Sequence, residues 1–141
     1  MIELINQLNT RKYNPLHTPS EEQKTFTIGG KLVGSLGNFI AITGIPKSGK
    51  STYLSAIIAS ALHPADFFTM KLQTPKDRHK ICLFDTESSE YDFYRQINRI
   101  KNFCNYNTLP KIFDAYSVRE DDCRTVLSYL SLYLEQNNDC S

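Results

Sequence analysis

The sequence predicts an α/β domain built on a mostly parallel sheet, because short apolar runs alternate with segments of helical periodicity. The apolar runs are typical of buried strands and lie at 38–43, 81–85 and 111–116. Each is followed by apolar residues at helical spacing, which predict helices from about 50 to Pro64, over 90–104 and over about 119–136. A chain of 141 residues that is 40% hydrophobic can bury one core.

The N-terminal part divides into two stretches. Residues 1–24 are polar and are interpreted as an arm or linker with one helical turn at 2–8, whereas 25–141 form the α/β domain. Two β-prone runs flank Gly29 and Gly30, which predicts a hairpin. A further short strand is predicted within 67–72.

The helical spacing also predicts which side chains face the core. The predicted inward residues of the first helix are Leu54, Ile57, Ile58, Ala61 and Leu62. Those of the second are Phe93, Ile97, Ile100 and Cys104. Those of the last are Cys123, Val126, Leu127, Leu130 and Leu134.

Composition argues against several classes of protein. Sixteen basic and fifteen acidic side chains give a net charge of +1, which disfavours a generally basic nucleic-acid binder. No apolar run reaches the roughly 18 residues that a membrane span needs, and the N-terminus is too polar for a secretory signal. The four cysteines form no CxxC pair, so reduced thiols are expected rather than a zinc site. These features predict a soluble cytoplasmic protein.

One motif carries recognisable chemistry. The phosphate-loop pattern GxxxxGK[ST] is matched at every fixed position by Gly44, Ile45, Pro46, Lys47, Ser48, Gly49, Lys50 and Ser51. Glycines let the backbone N–H groups point at phosphate oxygens, and the following helix adds the positive end of its dipole. Lys50 is predicted to bind the β- and γ-phosphates, Ser51 to coordinate Mg²⁺, and Thr52 to donate a further hydrogen bond to phosphate.

A second acidic constellation follows the 81–85 strand, where Asp85 and Glu87 end an apolar run. Ligands bind at the carboxyl ends of strands in open α/β sheets, so both carboxylates are candidates for the same site. Asp85 is either a direct Mg²⁺ ligand or a structural support. Glu87 either orients water for attack on the γ-phosphate or caps the helix that follows.

A resemblance to the RecA-like P-loop ATPases rests on two stretches, SLGNFIAITGIPKSGKSTYLSAIIASAL and ICLFDTESSEYDFYRQINRI. Within that class the chain is most similar to the helicase-type ATPase domains of plasmid and mobile-element replication proteins, the hexameric RepA-like group found in Bacteroides-type elements. The resemblance covers about residues 25–125, so that 25–141 is expected to be the N-terminal part of such a domain.

The resemblance implies a RecA-like core, a three-layer fold with a mostly parallel sheet. It implies that Glu87 polarises the attacking water, that Asp85 is a supporting residue at the strand end, and that the Walker B Asp that holds Mg²⁺ comes from a later strand. It further implies ATP as the nucleotide, single-stranded DNA as a partner, and a homo-oligomeric ring. Lys50 and Glu87 are then the catalytic residues.

The chain departs from that family pattern after the last predicted helix, where relatives continue into the Walker B strand. We therefore expect an incomplete RecA-like core and weak hydrolysis by these 141 residues alone. Two alternatives stay open. The domain is a non-catalytic nucleotide-binding regulatory module, or, less well supported, a small P-loop kinase.

Overall fold

The computed structural model describes residues 2–17, 24–63, 67–75 and 79–137. In this part of the chain the helices are α1 (Ile2–Thr10), α2 (Lys50–Leu62), α3 (Glu90–Cys104) and α4 (Cys123–Gln136). The strands are β1 (Lys24–Ile28), β2 (Lys31–Ser35), β3 (Met70–Leu72), β4 (Ile81–Asp85) and β5 (Phe113–Ser117). The predicted α/β class is confirmed.

The first sheet is antiparallel and has the order β2-β1-β3. The predicted hairpin is confirmed, because β1 and β2 pair antiparallel across Gly29 and Gly30, whose φ angles are 56° and 76°. A two-residue turn with positive φ at both positions suits glycine, which has no Cβ to clash. The strand predicted within 67–72 is shorter, and β3 pairs antiparallel with β1.

The second sheet is a parallel pair, β4 and β5, in which Leu83 lies opposite Ala115. Helix α3 connects the two strands, as parallel pairing requires. The strands of the described residues therefore form two small sheets, and only one of the two is parallel. The mostly parallel single sheet that the alternating pattern predicts is not seen there.

Helix α2 lies between the two sheets. One side contributes to a cluster with α3 and the β4–β5 face, made of Ile58, Ala59, Leu62, Leu83, Ile100, Cys104 and Phe113. Another side places Ala56 against Phe26 of β1 and Met70 of β3. Of the side chains predicted to face inward, Ile58 and Leu62 are buried. Leu54 and Ile57 are half-buried and pack against the two clusters.

Side-chain hydrogen bonds fasten α2 to its neighbours. The Ser60 hydroxyl accepts from the backbone N–H of Leu72 in β3 at 3.0 Å. The Tyr106 hydroxyl, just beyond α3, donates to the carbonyl of Leu62 at 2.9 Å. The Cys104 thiol lies 3.7 Å from the carbonyl of Ala59, and burial raises the pKa of that thiol. Each bond satisfies a group at a packed interface, where an unpaired one would be costly.

Helix α4 packs on the opposite face of the parallel pair. Its buried residue is Tyr133, whose hydroxyl donates to Asp114 Oδ2 at 2.6 Å. The Tyr133 ring also lies edge-on to Phe84 and Tyr116, which stack on each other at 5.2 Å. The predicted inward face of this helix is wrong, because Cys123, Leu127, Leu130 and Leu134 are exposed and only Val126 is half-buried.

Polar side chains cap the N-termini of α3 and α4. Ser89 caps α3, accepting from the backbone N–H of Asp92 at 3.2 Å. Asp122 caps α4, and hydrogen bonds from the backbone and hydroxyl of Thr125 and the backbone of Arg124 lower the pKa of its carboxyl. Such caps satisfy N–H groups that have no acceptor within the helix.

The strand predicted at 38–43 is not formed. These residues are exposed and take part in no strand pairing among the described residues, and the Phe39 side chain is fully exposed. The apolar composition favours a buried strand, but a strand forms only where a neighbour supplies the ladder. Here β1 pairs with β2 and β3, while β4 pairs with β5.

The N-terminal arm contains a longer helix than the single turn predicted at 2–8. Helix α1 has no buried residue, and the remainder of the arm at 18–23 lies outside the described residues. Among the helices described here, none has the length and apolar character needed to cross a membrane.

The cluster that α2 and α3 form with the β4–β5 face should contribute strongly to the free energy of unfolding. Ile100 is fully buried within it, so Ile100→Ala should lower the free energy of unfolding by about 2–5 kcal/mol, through lost burial and the cavity left behind. Leu127→Ala is the control, because that side chain is 57% exposed, and we expect a change within about 0.5 kcal/mol. Urea unfolding followed by circular dichroism measures both; equal losses would contradict this core assignment.

Candidate functional site

The phosphate-loop motif forms a tight turn that leads directly into α2. The backbone N–H of Ser48 donates to the carbonyl of Ile45 at 3.2 Å, which closes the turn. Lys47 and Gly49 have left-handed φ angles of 64° and 90°. A Cβ added to Gly44 would lie 2.7 Å from the Ser48 hydroxyl oxygen, so that side chain would have to rotate away. The left-handed backbone at position 49 therefore favours glycine.

The ammonium of Lys50 spans the loop. Its Nζ donates to the carbonyl of Gly44 at 2.8 Å and to that of Ile45 at 3.1 Å. A lysine ammonium has three donors, so one remains for another acceptor. The charge is therefore held over the turn rather than extended into solvent.

The N-terminus of α2 carries no side-chain cap. Gly49 is the N-cap residue and makes no capping hydrogen bond, and the helical ladder begins with the N–H of Tyr53 donating to Gly49 at 2.9 Å. The N–H groups of Lys50, Ser51 and Thr52 precede that bond and have no acceptor within the helix. Combined with the helix dipole, these donors favour an anion at this end.

Asp85 ends β4 and organises the turn after it. Its Oδ1 accepts from the backbone N–H groups of Glu87 at 3.0 Å and Ser88 at 2.7 Å, and its Oδ2 accepts from the Ser88 hydroxyl at 2.7 Å. A short carboxylate that binds the backbone two and three residues on is a common turn device. A structural role is therefore built in, and carboxylate oxygens retain lone pairs for a metal.

Glu87 is exposed, and only its backbone takes part in the Asp85 turn. The interpretation of Glu87 as a helix cap is wrong, because the cap of α3 is Ser89. Its carboxylate is therefore not used in holding the helix start.

The loop and the acidic turn line one cavity, of about 290 Å³. Four of its lining residues are the ones that the sequence singles out, Lys50, Ser51, Asp85 and Glu87. They come together because α2 starts, and β4 ends, at the same edge of the α2–α3–β4 unit. Gly44, Ser48, Gly49 and Thr52 line a second cleft of about 890 Å³, which Lys50 also lines.

In the described part of the chain, no three His, Cys, Asp or Glu side chains lie close enough to hold a metal by themselves. Mg²⁺ is usually bound through one or two protein oxygens together with phosphate and water oxygens. The Ser51 hydroxyl and the Asp85 carboxylate, which line the same cavity, are a donor set of that kind.

Sequence reasoning missed three residues of α3. Gln96, Arg95 and Arg99 line a small cavity of about 250 Å³ that also reaches Ser51 and Ser88. Gln96 lies three residues after Phe93 and four before Ile100, so it interrupts the apolar face of α3. A polar residue on such a face was the available signal.

Comparison with known proteins gave no match. Neither protein-family models, nor curated proteins, nor solved structures contain a significant counterpart of this chain. The case for a function therefore depends on the residues themselves.

The structure separates the roles of the two carboxylates. Asp85→Ala removes three hydrogen bonds of the turn and should lower the free energy of unfolding by about 1–2 kcal/mol. Glu87→Ala is the matched control two residues away, and its exposed side chain should contribute less than about 0.5 kcal/mol. Thermal and urea unfolding measure both; an equal effect would show that the turn does not depend on Asp85.

Proposed function

We propose that this chain binds ATP–Mg²⁺ through residues 44–52 and that it is the ATPase part of a RecA-like, helicase-type motor. The observation that carries the proposal is the shared cavity, in which Lys50 and Ser51 of the loop meet Asp85 and Glu87 of the β4 turn. Phosphate-binding and carboxylate groups lie there on one surface, as hydrolysis of a phosphoanhydride requires.

The residues of the loop at 44–52 suit a nucleoside triphosphate. The uncapped N–H groups of α2 and the Lys50 ammonium attract phosphate oxygens, and the glycines leave the backbone accessible. Ser51, with Asp85 beside it, would hold Mg²⁺, which neutralises charge on the phosphates when bound. Contacts between the loop and the phosphates do not distinguish adenine from guanine, so the choice of ATP over GTP is based on the family resemblance.

Glu87 is proposed as the residue that orients the attacking water. Glu87 is exposed and lines the cavity that it shares with Lys50, Ser51 and Asp85, here named the phosphate-side cavity, while Asp85 accepts a hydrogen bond from the backbone N–H of Glu87. A carboxylate at this place accepts a hydrogen bond from water and increases its nucleophilicity. Because Asp85 fixes the turn, it acts on Glu87 through the backbone as well as through Mg²⁺.

The arrangement of helices supports a RecA-like core. Helices α2 and α3 pack on one face of the β4–β5 pair and α4 packs on the other, which gives three layers at that pair. The proposal includes a three-layer core with a mostly parallel sheet. It also includes a role in DNA replication or mobilisation. Single-stranded DNA and neighbouring subunits of a ring would be its partners in that role.

One observation favours the alternative of a non-catalytic, nucleotide-dependent regulatory module. The segment at 38–43, which leads into the loop, is not held in a sheet in the described structure. A loop without that support binds phosphate but positions water less well, because hydrolysis needs a fixed geometry.

Binding and turnover should separate on different residues. Lys50→Ala should weaken binding of a fluorescent ATP analogue with Mg²⁺ at least about tenfold, because a charge-assisted contact is lost. Glu87→Gln should retain that affinity within about twofold and lower any measurable hydrolysis by about 100-fold or more. Fluorescence titration and phosphate release measure these effects.

The same measurements decide between the candidate functions. Undiminished binding by Lys50→Ala would contradict the loop assignment. Undiminished turnover by Glu87→Gln would contradict the role of Glu87. In the full-length protein, stimulation of hydrolysis by single-stranded DNA supports the motor, whereas nucleotide binding without turnover supports the regulatory module.

A matched pair of glycines tests the loop backbone. Gly49→Ala and Gly30→Ala both place a Cβ on left-handed backbone, with φ of 90° and 76° and no atom within 4 Å of the new carbon. Each should lower stability by about 1–2 kcal/mol, as that conformation costs an alanine. Only Gly49→Ala should weaken nucleotide binding, because it strains the backbone of the loop that leads into α2; equal binding by both variants would contradict this.

A further inference from the structure

The cavity formed by α3 and the start of α2 contains an unusual buried polar group. Gln96 is only 5% exposed, and its side chain makes no hydrogen bond within the described part of the chain. Every fully enclosed side-chain nitrogen or oxygen described here has a partner, so the amide of Gln96 reaches a cavity surface. Buried amides normally have partners, and an open one points to a ligand or water.

Gln96 connects two cavities. It lines the cavity of Lys50, Ser51, Asp85 and Glu87, and it also lines the smaller cavity on the α3 side. Ser51 and Ser88 border both as well. The two cavities therefore adjoin at these three residues.

The second cavity carries excess positive charge. Arg95 and Arg99 are one helical turn apart on α3 and both line it, against a single carboxylate, Asp92. That carboxylate already accepts from the Ser89 hydroxyl at 2.9 Å and lies 4.0 Å from Arg95. Arg99 is half-buried, and no hydrogen bond or ion pair of its side chain is found in the described structure.

We propose that this cavity, formed by Gln96, Arg99, Arg95, Ser51 and Ser88, is a second anion subsite for a tetrahedral oxyanion of the size of inorganic phosphate. Two guanidinium groups, the Ser51 hydroxyl and the Gln96 amide are donors that suit phosphate oxygens, whereas the Ser88 hydroxyl lines the cavity but already donates to Asp85 Oδ2. A volume of about 250 Å³ suits one small anion rather than a nucleic-acid backbone.

The position of the subsite indicates its use, and this part rests on the proposed function. Cleavage of the γ-phosphate beside Ser51 and Glu87 yields inorganic phosphate, which the subsite would hold on its way out. Arg99 supplies most of the attraction, because Arg95 is 60% exposed and shares its charge with Asp92. Gln96 guides the anion between the cavities.

The test measures inorganic phosphate in a chain whose loop is disabled. In a Lys50→Ala background, phosphate titration followed by calorimetry or ³¹P NMR should show one saturable site. Adding Arg99→Gln should weaken it about tenfold or more, and Gln96→Leu about threefold to tenfold, as charged and neutral hydrogen bonds are lost. Arg99→Lys should weaken binding less than Arg99→Gln does, because it keeps the charge but loses the planar fork.

Arg124→Gln is the matched control, because Arg124 is an exposed arginine on α4, which packs on the other face of the parallel pair. The subsite is overturned if Arg99→Gln binds phosphate as the parent does, or if Arg124→Gln weakens binding equally. Circular dichroism establishes whether each variant is folded. If Gln96→Leu does not fold, Arg99→Lys takes its place as the second variant of the subsite.

Nucleotide binding by the chain with Lys50 intact keeps the two proposals separable. Nucleotide binding without an Arg99-dependent phosphate site refutes the subsite and leaves the proposed function standing. An Arg99-dependent phosphate site without nucleotide binding supports an anion subsite and refutes its use as a product site.

Discussion

The packing of α2 between the two sheets is the constraint on which the remaining structure depends. Small side chains on this helix, including the fully buried Ala56 and Ala59, let it approach β1 and β3 on one side and α3 on the other. Ser60 and Tyr106 add hydrogen bonds at those contacts. Because the phosphate loop leads into α2, fixing the helix also fixes Lys50 and Ser51 relative to the end of β4. A core contact thus positions the candidate chemistry.

The candidate site divides support from chemistry. Asp85 and the motif glycines shape the backbone, whereas Lys50, Ser51 and Glu87 present polar groups to the cavity. Functional carboxylates are commonly held by neighbours that do not react themselves. Asp85 holds the turn through three hydrogen bonds, and its remaining lone pairs are the ones that we propose bind Mg²⁺.

Helix α3 extends the site beyond the motif. Its apolar residues, among them Ile100 and Cys104, bury the helix against α2, and this same packing brings Gln96 and Arg99 beside Ser51. Such residues escape motif searches because their spacing follows helix geometry rather than a loop pattern. Gln96 nevertheless contributes a buried amide, and Arg99 contributes a half-buried positive charge.

Local patterns in the sequence determined the hairpin, α2, β4, α3 and the turn at 44–49, because turn glycines, helical periodicity and short apolar runs act over a few residues. Tertiary structure alone decided three matters. The run at 38–43 lacks a pairing partner, so its composition did not make it a strand. Tyr133 is buried in place of the leucines of α4, because it packs against the rings of Phe84 and Tyr116 and donates a hydrogen bond to Asp114. Gln96 became part of a cavity only through packing, since burial depends on which surfaces meet.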